Sequence, residues 1–364
     1  MTTGAAARLH PTRDDGLADE DTPFIRNAWY VACYSDDVLP GKPFGRKLLG
    51  EGVVLYRTTN GAVTAMKDRC PHRSFPLSAS SIDGDDIVCG YHGIRFGADG
   101  ACKHVPTQDH APGAMRVTTF VVRETAPVVW IWMGDPARAE RTPLPDCGWM
   151  LDGSGWATSR GFLQLAASYV LLHENLLDLS HLSFLHARTF GTPDYARAPF
   201  ETEIGEERII VRRMVAPTRL PPLYSGPLGI HGDAARIVTS TYMSPGLSIS
   251  AVVLRNLELP EEARTDHHIQ TAQLVTPCDR DLVHYHFVIA RDFVTGDKQV
   301  SAFIQTSIEA AFAEDAFALE SLARIRREDP DRDFMERSIG SDKAGVMLRR
   351  RLRKLAEAEA AALE

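Results

Sequence analysis

Two periodicities divide the chain. From residue 25 to about 135 the apolar positions come in short runs separated by turn residues, the pattern of a mostly β unit. Residues 53–56 and 63–66 flank Asn60-Gly61 and read as a hairpin. Further short strands are expected at 87–89, 94–96, 118–122 and 128–133, with the turn Gly97-Ala98-Asp99-Gly100 among them. Breakers then cluster between 134 and 160, including Gly134-Asp135-Pro136 and the run at 141–146, and mark a junction. Beyond it the pattern mixes. Residues 168–186 read as a helix, and 209–214, 237–243, 247–254, 268–275 and 282–290 as strands of an antiparallel sheet. Residues 301–326 form an amphipathic helix whose stripe runs Ile304, Ile308, Ala311, Leu319, Leu322. The last stretch, 343–364, is a charged helix with a solvated or oligomer-facing role.

The expectation is an α+β chain: a loose, acidic tail over 1–24, a β domain over 25–140, and a second domain over 141–364 with an antiparallel sheet, covering helices and a C-terminal helix. At 364 residues there is length for two cores. The net charge of −8 speaks against a nucleic-acid surface or an anionic membrane, and no apolar run approaches the length of a membrane span. Of six cysteines, Cys33, Cys102, Cys147 and Cys278 show no pairing spacing; without a secretory signal the chain is expected in the reducing cytoplasm.

The other two cysteines carry chemistry. Cys70, His72, Cys89 and His92 are written C-x-H-x16-C-x2-H. Two thiolates and two imidazoles are the ligand set of a Rieske [2Fe–2S] centre, with both Cys on one iron and both His on the other. Tetrahedral zinc takes the same donors, but its sites favour C-x2–4-C with H-x3–5-H over interleaved C-x-H pairs. Each pair falls in a hairpin-like loop, bent by Pro71 and Gly90, with the Ser74 and Tyr91 hydroxyls close by.

A second metal-capable cluster lies in 168–186. On a helix Asn175, Asp178 and His181 share one stripe, and His186 follows His181 by five residues. Five residues turn an ideal helix through roughly 140° beyond a full turn, so two imidazoles on one metal require a break or bulge between them. Two His ligands call for a carboxylate: a 2-His-1-carboxylate site holds Fe(II) with open positions. Asp315 is the best candidate, because it falls on the apolar stripe of the 301–326 helix, where an acid is costly unless paired or metal-bound. Glu309, Glu314 and Glu320 lie off that stripe.

Over most of 25–325 these motifs resemble the Rieske non-haem iron oxygenases, and within them the oxygenase α subunits of vanillate and dicamba O-demethylases. The carrying residues are the Cys70/His72/Cys89/His92 loops, the run from Asn175 through Asp178 and His181 to His186, and Glu314-Asp315. The resemblance implies a Rieske β domain, a catalytic domain with a helix-covered antiparallel sheet, and a cyclic homotrimer. It implies that His181, His186 and Asp315 hold a mononuclear Fe(II), that Asp178 bridges His181 to a Rieske His of the neighbouring subunit, here His92, and that Asn175 lies near the iron without ligating it. A helical spacing of three between Asp178 and His181 agrees with such a bridge.

Electrons are expected from a separate NAD(P)H-dependent flavin/iron–sulfur reductase, since no G-x-G-x-x-G or flavin signature stands out. With O2 they would serve O-demethylation of a small methoxylated aromatic acid. Ring hydroxylation or dihydroxylation, diaryl-ether cleavage and N-demethylation remain open, and an electron-transfer Rieske ferredoxin is the alternative of another class. The residues 242–287 and the helix at 303–312 are expected to line the pocket, with Arg255, His268, His286 and Arg291 available to meet a carboxylate and 217–232 available as a lid.

Overall fold

The computed structural model describes residues 16–362 except 152, 330–333 and 335. The N-terminal half is built from ten strands: β1 Trp29–Tyr34, β2 Phe44–Leu48, β3 Glu51–Arg57, β4 Val63–Lys67, β5 Ser81–Asp83, β6 Asp86–Val88, β7 Arg95–Phe96, β8 Cys102–His104, β9 Thr119–Thr125 and β10 Val128–Trp132. They make a six-stranded sheet in the order β1-β10-β9-β4-β3-β2 and a four-stranded sheet, β5-β6-β7-β8. The expected hairpin is β3–β4, with Gly61 at φ 87° in the turn. The smaller sheet encloses its own core of Val54, Tyr56, Leu77, Ile87 and Phe96, and both cluster cysteines belong to it.

The C-terminal half adds a seven-stranded antiparallel sheet and helices. Its strands are β11 Ala157–Leu165, β12 Phe200–Ile204, β13 Ile209–Thr218, β14 Ala234–Ser244, β15 Leu247–Asn256, β16 Asp266–Asp279 and β17 Leu282–Arg291, in the order β11-β17-β16-β15-β14-β13-β12. All five expected strands are present; β11 and β12 escaped notice because their exposed faces dilute the apolar alternation. The helices are α1 Pro136–Arg141, α2 Tyr169–Leu177, α3 Pro222–Leu228, α4 Lys298–Glu328 and α5 Lys343–Ala361.

Three expectations change. The loose tail of 1–24 falls on undescribed residues only up to 15; from there the chain is docked, with Ala18 N–H donating to Arg349 O at 3.1 Å and Arg349 Nε donating back to Ala18 O at 2.7 Å. The terminal helix is not a solvated one: α5 buries Ala344, Leu348, Leu352 and Ala356, and Glu359 accepts the backbone N–H groups of Arg26 and Asn27. Its charged residues hid an apolar stripe at i, i+4, i+8 and i+12. On α4 the stripe is Ile304, Ile308, Ala311, Phe312, Asp315 and Leu319, whereas Leu322 is exposed. The segment between the halves is a packed wedge. Met150 and Cys147 share a core with Trp29, Trp132, Leu247 and Leu274, and Tyr34 Oη bonds Phe287 O of the large sheet at 2.9 Å.

Candidate active site

The two cysteine loops fold alike. Cys70 N–H donates to Phe75 O and Ser74 N–H to Cys70 O; Cys89 N–H donates to Ile94 O and Gly93 N–H to Cys89 O, all at 2.8–2.9 Å. Each loop also needs a left-handed residue four after its cysteine, Ser74 at φ 59° and Gly93 at φ 70°, beyond the bends expected at Pro71 and Gly90. The Ser74 hydroxyl accepts from Arg69 Nε at 2.9 Å, and the Tyr91 ring stacks on His92 at 3.9 Å. Both thiols are buried, while the His72 and His92 rings sit 4.5 Å apart at the surface. Burial raises the Cys70 pKa, with Cys89 beside it adding to the rise, so a metal is the natural partner that would hold the thiolates there. The donor set fits a [2Fe–2S] centre with its sulfur-bound iron inward and its imidazole-bound iron at the surface.

The second site begins at a broken helix. Ser168 caps α2 by accepting from Leu171 N–H at 3.2 Å. The helix stops at Leu177 because Asp178, in extended conformation at φ −85°, ψ 108°, turns its Oδ1 to the Ser180 N–H at 2.6 Å. A single 3-10 turn, His181–Ser183, follows. The expected distortion exists and is larger than a bulge: the α-helix ends before His181, and the 3-10 turn and following turns separate the two histidines. Past the turn, His186 O accepts from Gly191 N–H at 2.8 Å; a Cβ on Gly191 would lie 2.0 Å from Leu182 O, so only glycine closes this loop.

The break turns both imidazoles toward α4. Asp315 Oδ1 lies 3.5 Å from His181 Nε2 and 3.2 Å from His186 Nε2, and one donor atom from each of the three residues falls within 4.8 Å of the others. Asn175 Nδ2 donates to the same Asp315 oxygen at 3.2 Å. His186 is buried, and its other nitrogen, Nδ1, meets Glu314 Oε2 at 2.9 Å; the Thr189 hydroxyl donates to that oxygen as well. Burial alone would depress the His186 pKa, yet Asp315 and Glu314 raise it, so this pocket favours positive charge. A divalent iron held by His181, His186 and Asp315 satisfies that demand with the 2-His-1-carboxylate donor set. Glu314 then fixes the His186 tautomer so that Nε2 faces the metal. Sequence reasoning set Glu314 aside for lying off the α4 stripe; only the return of the 186 loop brings it a partner.

Asp178 has its second oxygen, Oδ2, 3.6 Å from His181 Nδ1. Burial works against its charge, but His181 and the Ser180 N–H outweigh it and hold the carboxyl below the usual carboxylate range, so it stays ionised.

A cavity opens on the three donor atoms. Its walls come from α2, from β14–β16, from α4 through Ile308 and Phe312, and from α3 through Leu223 and Tyr224. The 217–232 stretch thus supplies a wall of the cavity by way of α3. Arg255, His268 and His286 do not line this cavity, and neither does Arg291. Side chains alternate along a strand. Ser250 and Val252 on β15, and Ile269, Thr271 and Gln273 on β16, face in, so Arg255 and His268 face the other way. Arg255 pairs with Asp266 through both nitrogens at 2.6 and 2.9 Å, and His268 Nδ1 meets Asp292 at 2.5 Å. Arg291 caps the start of α4, donating to Val294 O, Asp297 O and Ser301 Oγ. Arg255→Gln should therefore leave KM within about two-fold and cost at most about 1 kcal/mol of stability, the scale of an exposed ion pair. Steady-state kinetics and urea unfolding check both.

His286 is buried on the opposite face of β17, between Tyr34 and Phe162, with no partner for either ring nitrogen among the described residues. Burial, helped by Arg46, lowers its pKa to about 3; burial also brings His173 and His284 to about 4. These folded values lie below the unfolded value of about 6.5. Unfolding therefore takes up protons, and stability that is full above pH 6.5 falls as pH drops toward 4. His286→Phe, which has no hydrogen bond to lose, should flatten the fall of Tm between pH 6.5 and 4.5; an unchanged slope would refute its share.

Residues 165–358 match the vanillate O-demethylase oxygenase C-terminal domain family, and residues 28–121 match the Rieske [2Fe–2S] domain. The chain belongs to the Rieske non-haem iron oxygenases of this type. It is 33% identical to the toluene-4-sulfonate monooxygenase iron–sulfur subunit TsaM1 of Comamonas testosteroni over 86% of this chain and 92% of the relative. It is 31% identical to the dicamba O-demethylase oxygenase component of Stenotrophomonas maltophilia over 93% of this chain and 99% of the relative. A crystal structure of dicamba monooxygenase bound to 3,6-dichlorosalicylic acid superposes with a TM-score of 0.87 at 29% identity, covering 93% and 99% of the two chains. This Rieske oxygenase is thus the oxygenase component of a monooxygenase that works with a separate reductase, and its cofactors are a Rieske [2Fe–2S] centre and a mononuclear iron. Among the described residues no helix is long and apolar enough to cross a membrane.

Proposed function

We propose that this oxygenase removes the methyl group of a methoxylated aromatic acid, using O2 and electrons from an NAD(P)H-dependent flavin/iron–sulfur reductase in the cytoplasm. The observation that carries the reading is the apolar cavity between β14–β16, α3 and α4 that ends on His181, His186 and Asp315. A bare electron carrier needs no such cavity. Likeness to a dicamba O-demethylase and a toluene-4-sulfonate monooxygenase supports an aromatic acid as substrate.

Within this reading the chain divides into a Rieske domain over 25–140 and a catalytic domain over 141–364. Cys70, His72, Cys89 and His92 hold the cluster, and His181, His186 and Asp315 hold the iron. The cluster supplies electrons singly, and the iron supplies O2 activation at open coordination positions. The protein's own part is placement. Glu314 orients His186, and Asn175 holds the Asp315 carboxylate. Asp178 orients His181 and has an oxygen available to a second imidazole. The exposed His72–His92 pair suits a contact between subunits, so we assign Asp178 as the bridge to His92 of the next copy in a cyclic homotrimer. The apolar walls exclude water and aim the methoxy carbon at the metal end. Oxygenation of that carbon yields a hemiacetal, which collapses to a phenol and formaldehyde: ArOCH3 + O2 + 2e⁻ + 2H⁺ gives ArOH, HCHO and H2O.

The test is turnover of the iron-loaded protein with a reductase, comparing methoxybenzoates with phthalate, phenoxybenzoate and N-methyl compounds. Formaldehyde released in step with substrate-dependent O2 uptake, for methoxybenzoates alone, is the expected result. A cis-dihydrodiol, or formaldehyde only from N-methyl compounds, would overturn it.

A further inference from the structure

The cavity wall also carries a buried cation, Arg236. Arg236 stands on β14, two residues before Val238, and both side chains face the cavity. Its residue is 1% exposed. The guanidinium carbon lies 5.1 Å from the ring centre of Tyr224, 5.2 Å from Tyr195 and 5.8 Å from Phe190. Nη1 donates to Phe190 O at 2.7 Å, and the Tyr224 hydroxyl lies beside the group. Nε has no acceptor, and among the described residues no carboxylate lies within ion-pair distance of Arg236. Arg213, another deeply buried arginine, differs: it donates to Tyr195 O at 3.0 Å and stays outside the cavity.

A guanidinium offers five N–H donors and cannot discharge itself. Aromatic faces compensate part of its lost hydration, but a desolvated cation without an anion is an uncompensated charge. The cavity also has a direction. Asp178 and Asp315 occupy the metal end, where they repel an anion that lacks the metal's compensation. Arg236 contacts Phe190, whose ring packs on His186 with centroids 4.6 Å apart. Apolar side chains, among them Val238, Val252, Ile308 and Phe312, supply other walls of the same cavity.

We propose that Arg236 is the anion anchor of the substrate cavity, binding the carboxylate or sulfonate of an aromatic acid and so turning the opposite ring substituent toward His181, His186 and Asp315. This deepens the demethylase reading and rests on it only for the identity of the reacting group. The planar fork matches a two-oxygen edge, so an acid gains paired, charge-assisted hydrogen bonds that a neutral isostere cannot make. Sequence reasoning missed Arg236 because the strand was expected to begin one residue later, leaving it at an apparent boundary.

The test uses the iron-loaded protein under anaerobic conditions, with binding measured by calorimetry. The probes are 4-methoxybenzoate and 4-methylbenzenesulfonate, each paired with its neutral amide. Wild type should prefer each acid, and Arg236→Met should weaken the acids by roughly 10–100-fold while leaving the amides within about three-fold. Arg236→Lys, which keeps charge without the fork, should fall between. Equal loss for acids and amides in Arg236→Met, with the cluster spectrum intact, would make Arg236 a packing residue only and overturn the proposal. So would a wild type that binds acids no better than amides. The two readings separate cleanly: acid binding that depends on Arg236 without formaldehyde release keeps the anchor and removes the demethylase, whereas formaldehyde from amides as readily as from acids does the reverse.

Discussion

Asp315→Ala should empty the mononuclear site and leave the Rieske centre intact. Iron per chain, measured by elemental analysis, should fall to the content of the [2Fe–2S] centre alone, the visible cluster spectrum should persist, and product formation should be lost. The geometry gives the reason. Asp315 is the carboxylate that both Nε2 atoms face, at 3.5 and 3.2 Å, and it is buried on the apolar stripe of α4. Without it, two neutral imidazoles remain, with no charge to offset a divalent ion. Glu314 does not substitute, because its carboxylate is engaged on the far nitrogen of His186 and on Thr189. Glu314→Gln should act more mildly, weakening iron binding by about 10–100-fold, the usual effect of removing a group that orients a ligand. If Asp315→Ala kept full iron and turnover, the assignment of this centre would fail.

What the chain disclosed in advance depended on how local each signal was. The four residues expected to hold the cluster lie in two short loops, so their pattern could be read from local spacing, although the left-handed turns at Ser74 and Gly93 were not singled out. Asp315 was legible as an acid on an apolar stripe, a local conflict that a metal resolves. The end of α2 was not legible, because the apolar period runs past Leu177 and the competing Asp178–Ser180 contact is a single hydrogen bond. Arg255, His268 and His286 were mistaken for pocket residues for a different reason. Strand parity decides which face a side chain takes, and parity is fixed by the register of the whole sheet, in which Arg255 pairs with Asp266 and His286 with Leu274. Glu314 and Arg236 needed the tertiary fold itself, since each acquires meaning only from a loop that returns to it.

Asp178→Asn should keep both metals and still lower product formation on the order of 10²-fold or more, by analogy with ligand-orienting groups at metal sites. Asp178 ligates nothing in this arrangement. Its Oδ1 takes the Ser180 N–H at 2.6 Å and its Oδ2 faces His181 Nδ1 at 3.6 Å, so an amide of the same shape preserves the turn that ends α2. What the amide lacks is the charge and the second acceptor edge. A carboxylate between two imidazoles can accept an N–H from each, whereas an asparagine offers one acceptor and one donor, and the donor meets an imidazole N–H. The proposed contact to the neighbour's His92 would then be repulsive or absent, and the defect should appear in electron delivery and not in substrate binding. Single-turnover measurements separate the cases: with the cluster reduced beforehand, the variant should oxidise its cluster slowly in the presence of substrate and O2, while its affinity for substrate stays near the wild-type value. Asp178→Ala, which also removes the acceptor for Ser180, should add a loss of iron. A variant with asparagine that reoxidises its cluster at the wild-type rate would exclude Asp178 from the route and confine it to ending the helix.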